Sequence, residues 1–120
     1  MGTLILVDDD RSSTTLLRML LEMDGFEVVA CPRTGQAIQA AEDGVDAFII
    51  DIYLAQGEDG LDLLRAIRSG STPAPKDCPV IMTSGDERRR GDAETSGANS
   101  FLLKPFSPSY LSELLREMLA

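Results

Sequence analysis

Strand-like and helix-like stretches alternate five times along this chain, and that alternation predicts an α/β fold. Two further observations narrow it. The strand candidates are short runs, apolar at consecutive positions, as in a parallel sheet covered on both faces. The helix candidates carry their apolar residues on one side only. A three-layer sandwich follows, with five helices packed on the two faces of a five-stranded parallel sheet. Right-handed crossovers leave few topologies for such a chain, and the doubly wound order 2-1-3-4-5 is the natural one. Residues 1–120 are expected to form a single domain.

The elements can be taken in order. Thr3-Leu4-Ile5-Leu6-Val7 is the first strand, ended by Asp8-Asp9-Asp10. Arg11 to Met23 is a helix striped by Leu16, Leu17, Leu20 and Leu21, with Asp10 suited to cap it and Gly25 closing it. Phe26 to Cys31 is the second strand, ended by Pro32. Thr34 is placed to cap a helix over 35–43, with Ala37, Ile38 and Ala41 inward and Gly44 as the stop. Ala47 to Asp51 is the third strand, an apolar run that finishes on a carboxylate.

A polar loop over 52–58 leads to a helix from Asp59 to Ser69, with Leu61, Leu64 and Ile67 on one side and Gly70 beyond its end. The prolines between Ser71 and Pro79 mark a connection. Val80 to Ser84 is the fourth strand, broken by Gly85. Asp86 to Ser96 is helical in composition but almost bare of large apolar side chains. Asn99 to Leu103 is the fifth strand, stopped by Lys104-Pro105. Ser107 caps and Pro108 starts a last helix, striped by Leu111, Leu114, Leu115 and Met118.

Composition excludes several classes of function. The formal net charge of -9 argues against sequence-independent nucleic-acid binding and against attachment to an anionic membrane. No apolar segment approaches the roughly 20 residues of a spanning helix. Met1-Gly2 leads straight into the first strand without a basic leader, and Leu6 stands where a myristoylation pattern needs Ser or Thr. Cys31 and Cys78 have no metal or redox spacing and read as free buried thiols in a reducing, cytoplasmic setting. The absence of histidine removes histidine acid–base catalysis and the commonest zinc ligand.

Chemistry is expected where the strands end, because ligands of open α/β sheets bind beyond the carboxyl ends of the strands, where strand order reverses. The first strand ends in Asp8 and Asp9, the third in Asp51, the fourth in Ser84 and the fifth in Lys104. Singly, these residues are bland: a helix cap, a turn serine, a loop lysine. Together they place three acids, a hydroxyl and an ammonium on one edge. Three close carboxylates repel one another, and a hard divalent cation with oxygen ligands relieves that, in the pattern of Mg²⁺. One carboxylate can then attack phosphorus, while cation and ammonium neutralise the phosphoryl oxygens. Asp51, alone at its strand end and central in the site, is the best nucleophile, with Asp8 and Asp9 as the metal platform.

At these residues the chain resembles a response-regulator receiver domain of the two-component phosphorelay type. The likeness covers nearly all of 3–119. It rests on Leu6-Val7-Asp8-Asp9-Asp10, Ile49-Ile50-Asp51, Asp59-Gly60, Pro79-Val80-Ile81-Met82-Thr83-Ser84-Gly85 and Phe101-Leu102-Leu103-Lys104-Pro105-Phe106. The resemblance implies a flavodoxin-like fold and a switch that catalyses only its own phosphorylation and dephosphorylation. Asp51 would be the phosphoacceptor. Asp9 would bind Mg²⁺ (or Mn²⁺ in its place) directly and Asp8 through water, with Asp51 itself and the backbone carbonyl of Tyr53 as further ligands. Ser84 would be the switch hydroxyl, Thr83 pointing to the other face; Lys104 would pair with the phosphoryl group, and Phe101 would be the switch aromatic, turning inward on activation. The implied partners are a histidine kinase or histidine phosphotransfer protein, and a downstream effector or output domain, which this chain is not expected to contain. A phosphorylation-dependent homodimer would also fit. The fourth helix, fifth strand and fifth helix would form the output face.

The departures are specific. Ala55 replaces a frequent proline, and Ala55-Gln56-Gly57-Glu58 makes the loop after Asp51 one residue longer than the common form. Gly85 keeps the small residue that phosphoryl access needs. Arg88-Arg89-Arg90 reads either as a solvated face or as a docking surface. A phosphatase of the haloacid-dehalogenase kind is the alternative, but it needs a second acid where Tyr53 stands. An FMN binder would set a flavin phosphate against Asp8, Asp9 and Asp10. A degenerate receiver used only for docking would not need the full set of acids, hydroxyl and lysine.

Overall fold

The computed structural model describes residues 2–120. Five parallel strands, β1 (Thr3–Val7), β2 (Glu27–Cys31), β3 (Ala47–Asp51), β4 (Val80–Ser84) and β5 (Ser100–Leu103), form one sheet in the order 2-1-3-4-5. Four helices connect them, α1 (Arg11–Met23), α2 (Thr34–Ala40), α3 (Gly60–Arg68) and α4 (Arg90–Thr95), and α5 (Pro108–Leu119) follows β5. The expected architecture is therefore the observed one.

Side-chain alternation along the strands sorts the core into two layers. Ile5, Val7, Phe48, Ile50, Val80, Met82 and Phe101 face α2, α3 and α4, meeting Ala37, Leu61, Leu64, Ile67 and Ala93. Leu4, Leu6, Ala47, Ile49, Ile81 and Leu102 face the other way, meeting Leu21, Leu111 and Leu115. β3 and β4 are buried along their whole length, which explains their unbroken apolar sequence. β2 is an edge strand; Val28 and Cys31 are buried while Glu27 and Val29 are exposed.

Caps account for most of the boundaries. Asp10 accepts from the Ser13 amide at 3.3 Å, Asp59 from Leu61 at 2.9 Å, and Ser107 from Tyr110 at 3.4 Å. The expected Thr34 cap is not one. Arg33 holds the extended cap position, and Thr34 is already helical. Its amide, the first of the helix, donates to Glu58 Oε1 at 3.1 Å. The stretch expected as one helix over 35–43 splits into α2 and a 3-10 turn, Ala41–Asp43, before Gly44 at φ 98°. Likewise 86–96 divides into a 3-10 turn, Glu87–Arg89, and the six-residue α4, whose single buried residue is Ala93. Cys31 and Cys78 are free and buried, as expected.

Candidate functional site

The sheet register brings the strand ends to one edge. Val7 of β1 stands beside Ile50, so Asp8 emerges next to Asp51. Asp51 pairs with Thr83 on its other side, and Ser84 pairs with Leu103, the residue before Lys104. The Lys104 amide donates to the Ser84 carbonyl at 2.8 Å, which fixes where its side chain starts. The Lys104–Pro105 peptide is cis.

Lys104 Nζ lies 2.9 Å from Asp51 Oδ2 and 3.1 Å from Asp8 Oδ2. Asp8, Asp9 and Asp51 each present a carboxylate oxygen, and these oxygens lie within 4.8 Å of one another. Asp51 is 8% exposed and Asp8 9%, whereas Asp9 is open to solvent. Asp8 is further oriented by accepting from the Asp10 amide at 3.0 Å.

The electrostatics of this group are unbalanced. Burial pushes the Asp51 carboxyl above its usual range; Lys104 and the Tyr53 amide oppose this, and the neighbouring Asp8 charge adds to it. Burial also works against the Lys104 ammonium, but Asp51 and Asp8 together outweigh it and hold its pKa above the ordinary value. The two shifts agree physically. The one ammonium bonds two of the three carboxylates, so it is well paired while the acids outnumber it. Oxygen donors in excess of the available positive charge are the donor set of a hard divalent cation, and these residues fit one.

The other expected residues share the edge without joining the cluster. Ser84 is fully buried, and its hydroxyl accepts from the Asp86 amide at 3.0 Å. Thr83 stands one position earlier, on the opposite face by alternation. Phe101 is already packed inward, 6% exposed, with the Arg90 guanidinium 4.7 Å from its ring centroid. Tyr53 projects to the surface, and its phenol donates to Asp86 Oδ2 at 3.0 Å. Bidentate contact with Arg88, helped by the Tyr53 phenol, draws the Asp86 carboxyl down to about 2.

The arginine run is tied into ion pairs within the molecule, while the Arg88 side chain stays 90% exposed. Arg88 grips Asp86, Arg89 bonds Asp59 and Asp92, and Arg90 bonds Glu87 at 2.7 Å. These ties, with Arg33 on Glu58, were missed by sequence reasoning. Nothing in the local pattern marks a loop acid as the partner of an arginine 25 or 30 positions away. A cavity of about 590 Å³ opens beside Asp8 and Lys104 and is otherwise lined mainly by Leu16, Leu17, Pro105, Phe106 and Pro108.

A doubly wound sheet with an acid cluster and a lysine at its switch point defines a class of phosphoryl-handling α/β domain. The model of the response regulator receiver domain matches residues 4–116, and the chain belongs to that family. It is 36% identical over 121 residues to the transcriptional regulatory protein CpxR of Escherichia coli K12, covering 99% of this chain and 50% of that protein. It is 31% identical to the sensory/regulatory protein RpfC of Xanthomonas campestris, covering 96% of this chain and 16% of that one. A response regulator structure from Chloroflexus aurantiacus superposes with a TM-score of 0.87 at 32% identity, over 98% of this chain and 97% of that one. The chain thus spans about half the length of the first of these relatives. Domains of this family are phosphoacceptor signalling switches of two-component systems, and they generally bind Mg²⁺ through clustered acids. Among the described residues no helix is long and apolar enough to cross a membrane.

Proposed function

We propose that Asp51 accepts a phosphoryl group from a phosphohistidine on a histidine kinase or phosphotransfer protein, and that this chain relays the event to an effector or output domain. The observation that carries this reading is the Lys104 bridge to Asp51 and Asp8, with the three carboxylates gathered at the β1/β3 switch point.

In the transfer, an Asp51 carboxylate oxygen attacks phosphorus. The P–N bond breaks, its electron pair returns to the imidazole, and an acyl phosphate forms. In dephosphorylation, a separate step, water attacks phosphorus, the P–O bond to Asp51 breaks, Asp51 is released as a carboxylate, and the water's proton leaves with inorganic phosphate or solvent. Asp8 and Asp9, with the Tyr53 carbonyl, would hold Mg²⁺ or Mn²⁺, which would supply charge neutralisation at the phosphoryl oxygens. Lys104 holds Asp51 and Asp8 in place beforehand and can turn its charge to the phosphoryl group afterwards. The donor is better read as a protein than as a small ester. Leu16, Met19 and Met23 form an exposed apolar stripe along α1, and its first residue, Leu16, lines the cavity at the mouth of the site.

The switch would pass through Ser84. Its hydroxyl, now committed to the Asp86 amide, is drawn to the phosphoryl oxygens, which frees the 86–96 stretch and repacks Phe101. The α4–β5–α5 face would then present a changed surface to the output partner or to a second copy. The test is incubation with Mg²⁺ and acetyl phosphate followed by intact mass measurement. The wild-type chain should gain one phosphoryl group and Asp51→Asn none; equal gain by both, or no gain by the wild type, would overturn the assignment.

A further inference from the structure

The loop between β3 and α3 has a construction that the acceptor chemistry alone does not explain. Gln56 and Gly57 adopt φ 61° and φ 76° in succession. For Gln56 the left-handed conformation costs about 1–2 kcal/mol, and such geometry persists only where the surroundings over-determine it. The loop then closes on itself. The Leu54 amide donates to the Glu58 carbonyl at 3.1 Å, and Tyr53 pairs with Asp59 as an isolated antiparallel bridge. Glu58 and Asp59 therefore leave the loop side by side, and each is taken by an arginine from a different neighbouring loop.

Arg33, between β2 and α2, bonds Glu58 Oε2 through Nη2 at 2.7 Å and Nε at 3.0 Å, and reaches Gln56 Oε1 through Nη1 at 3.0 Å. Arg89, before α4, bonds Asp59 Oδ2 through Nη2 at 3.1 Å and lies 5.2 Å from the Tyr53 ring centroid. The four side chains of these pairs are 21% to 36% exposed. Neither arginine bonds Asp8, Asp9 or Asp51.

We propose that Arg33 and Arg89 are positioning residues for the cation site, a two-sided clamp on 53–59 that holds the Tyr53 carbonyl ready as a ligand. The inference rests on the Mg²⁺-assisted reading of the site and deepens it. A planar guanidinium fixes its acid in direction as well as distance. A loop held from both sides loses less freedom when a cation arrives, so it binds more tightly. Arg89 also leads into α4. Cation affinity and the placement of α4 are therefore linked, each biasing the other by the same factor.

The experiment is calorimetric titration of the whole chain with MgCl₂ alone, paired with phosphorylation rates from acetyl phosphate at varied Mg²⁺. Arg33→Ala and Arg89→Ala should each weaken Mg²⁺ binding about fivefold, a typical coupling between sites. The half-saturating Mg²⁺ concentration should rise by the same factor, with the rate at saturation little changed. Arg33→Lys, which keeps the charge but loses the two-point grip, should recover part of the affinity and decides the matter if Arg33→Ala folds poorly; a lysine variant as tight as wild type overturns the directional clamp. Unaltered Mg²⁺ affinity in both alanine variants overturns the clamp, as does a loss of rate that saturating Mg²⁺ does not repair. If the wild type takes up no phosphate, the acceptor reading fails, while the Mg²⁺ titration still decides the clamp on its own.

Discussion

Burial and Lys104 pull the Asp51 carboxyl in opposite directions, and burial prevails. An acid whose pKa is raised on folding binds more protons folded than unfolded, so stability falls as pH rises from its unfolded value through its folded one. Above that window the charged Asp51 is a standing cost to the cation-free fold. Asp51→Asn should therefore melt a few degrees above the wild type at neutral pH in chelator. Scanning calorimetry should find that gap closing as pH falls toward 3.8, the ordinary value, and closing again as Mg²⁺ is added to the wild type. A second residue-scale constraint is Gly60. A Cβ there would overlap the Asp51 carbonyl oxygen and come within 2.8 Å of Ile50 Cγ2. Gly60→Ala should lower stability by about 1–3 kcal/mol, the usual cost of overpacking, read from urea midpoints, and should slow phosphate uptake by displacing the acceptor strand.

Among the elements, α4 is the weak one. It has six residues, one of them buried, and it is held mainly by ion pairs at its N-terminal side. Exposed ion pairs contribute only a few tenths of a kcal/mol each and are screened by salt. Amide exchange should accordingly be fastest over 86–98, faster still at high salt, and slow throughout β1, β3 and β4. Adding beryllofluoride with Mg²⁺ should alter protection most in that segment, at Ser84 and at Phe101; unchanged protection there would count against the switch. The same element explains why Arg88-Arg89-Arg90 is ambiguous in the sequence. Three adjacent cations suit a solvated face, an external partner or an internal tie equally well, and only the positions of Asp86, Asp59 and Glu87 in space choose among them.

For the molecule as a whole, the acid cluster concentrates part of a net charge of -9 on one edge of the sheet. A cation that binds only the folded chain stabilises it by mass action. At a concentration about 100 times its Kd this amounts to about 2.7 kcal/mol, or roughly 10 °C in Tm for a domain of this size. Differential scanning fluorimetry should follow that rise with Mg²⁺, and Asp9→Asn should flatten it.

Much of the fold and of the site is legible in the amino-acid sequence. Asp8, Asp51, Ser84 and Lys104 can be placed together because each ends or follows a strand, and alternating apolar periods restrict the strand order to very few arrangements. Local pattern determines that much because side-chain periodicity is a property of the backbone and needs no partner. What the tertiary structure alone decided depends on distant groups. Glu58 meets the Thr34 amide, Phe101 lies inward beneath Arg90, and two arginines grip the loop over 53–59. Most of these join segments far apart in the chain. Ion pairs and hydrogen bonds act over a few ångströms, so their partners exist only once the loops have been brought side by side.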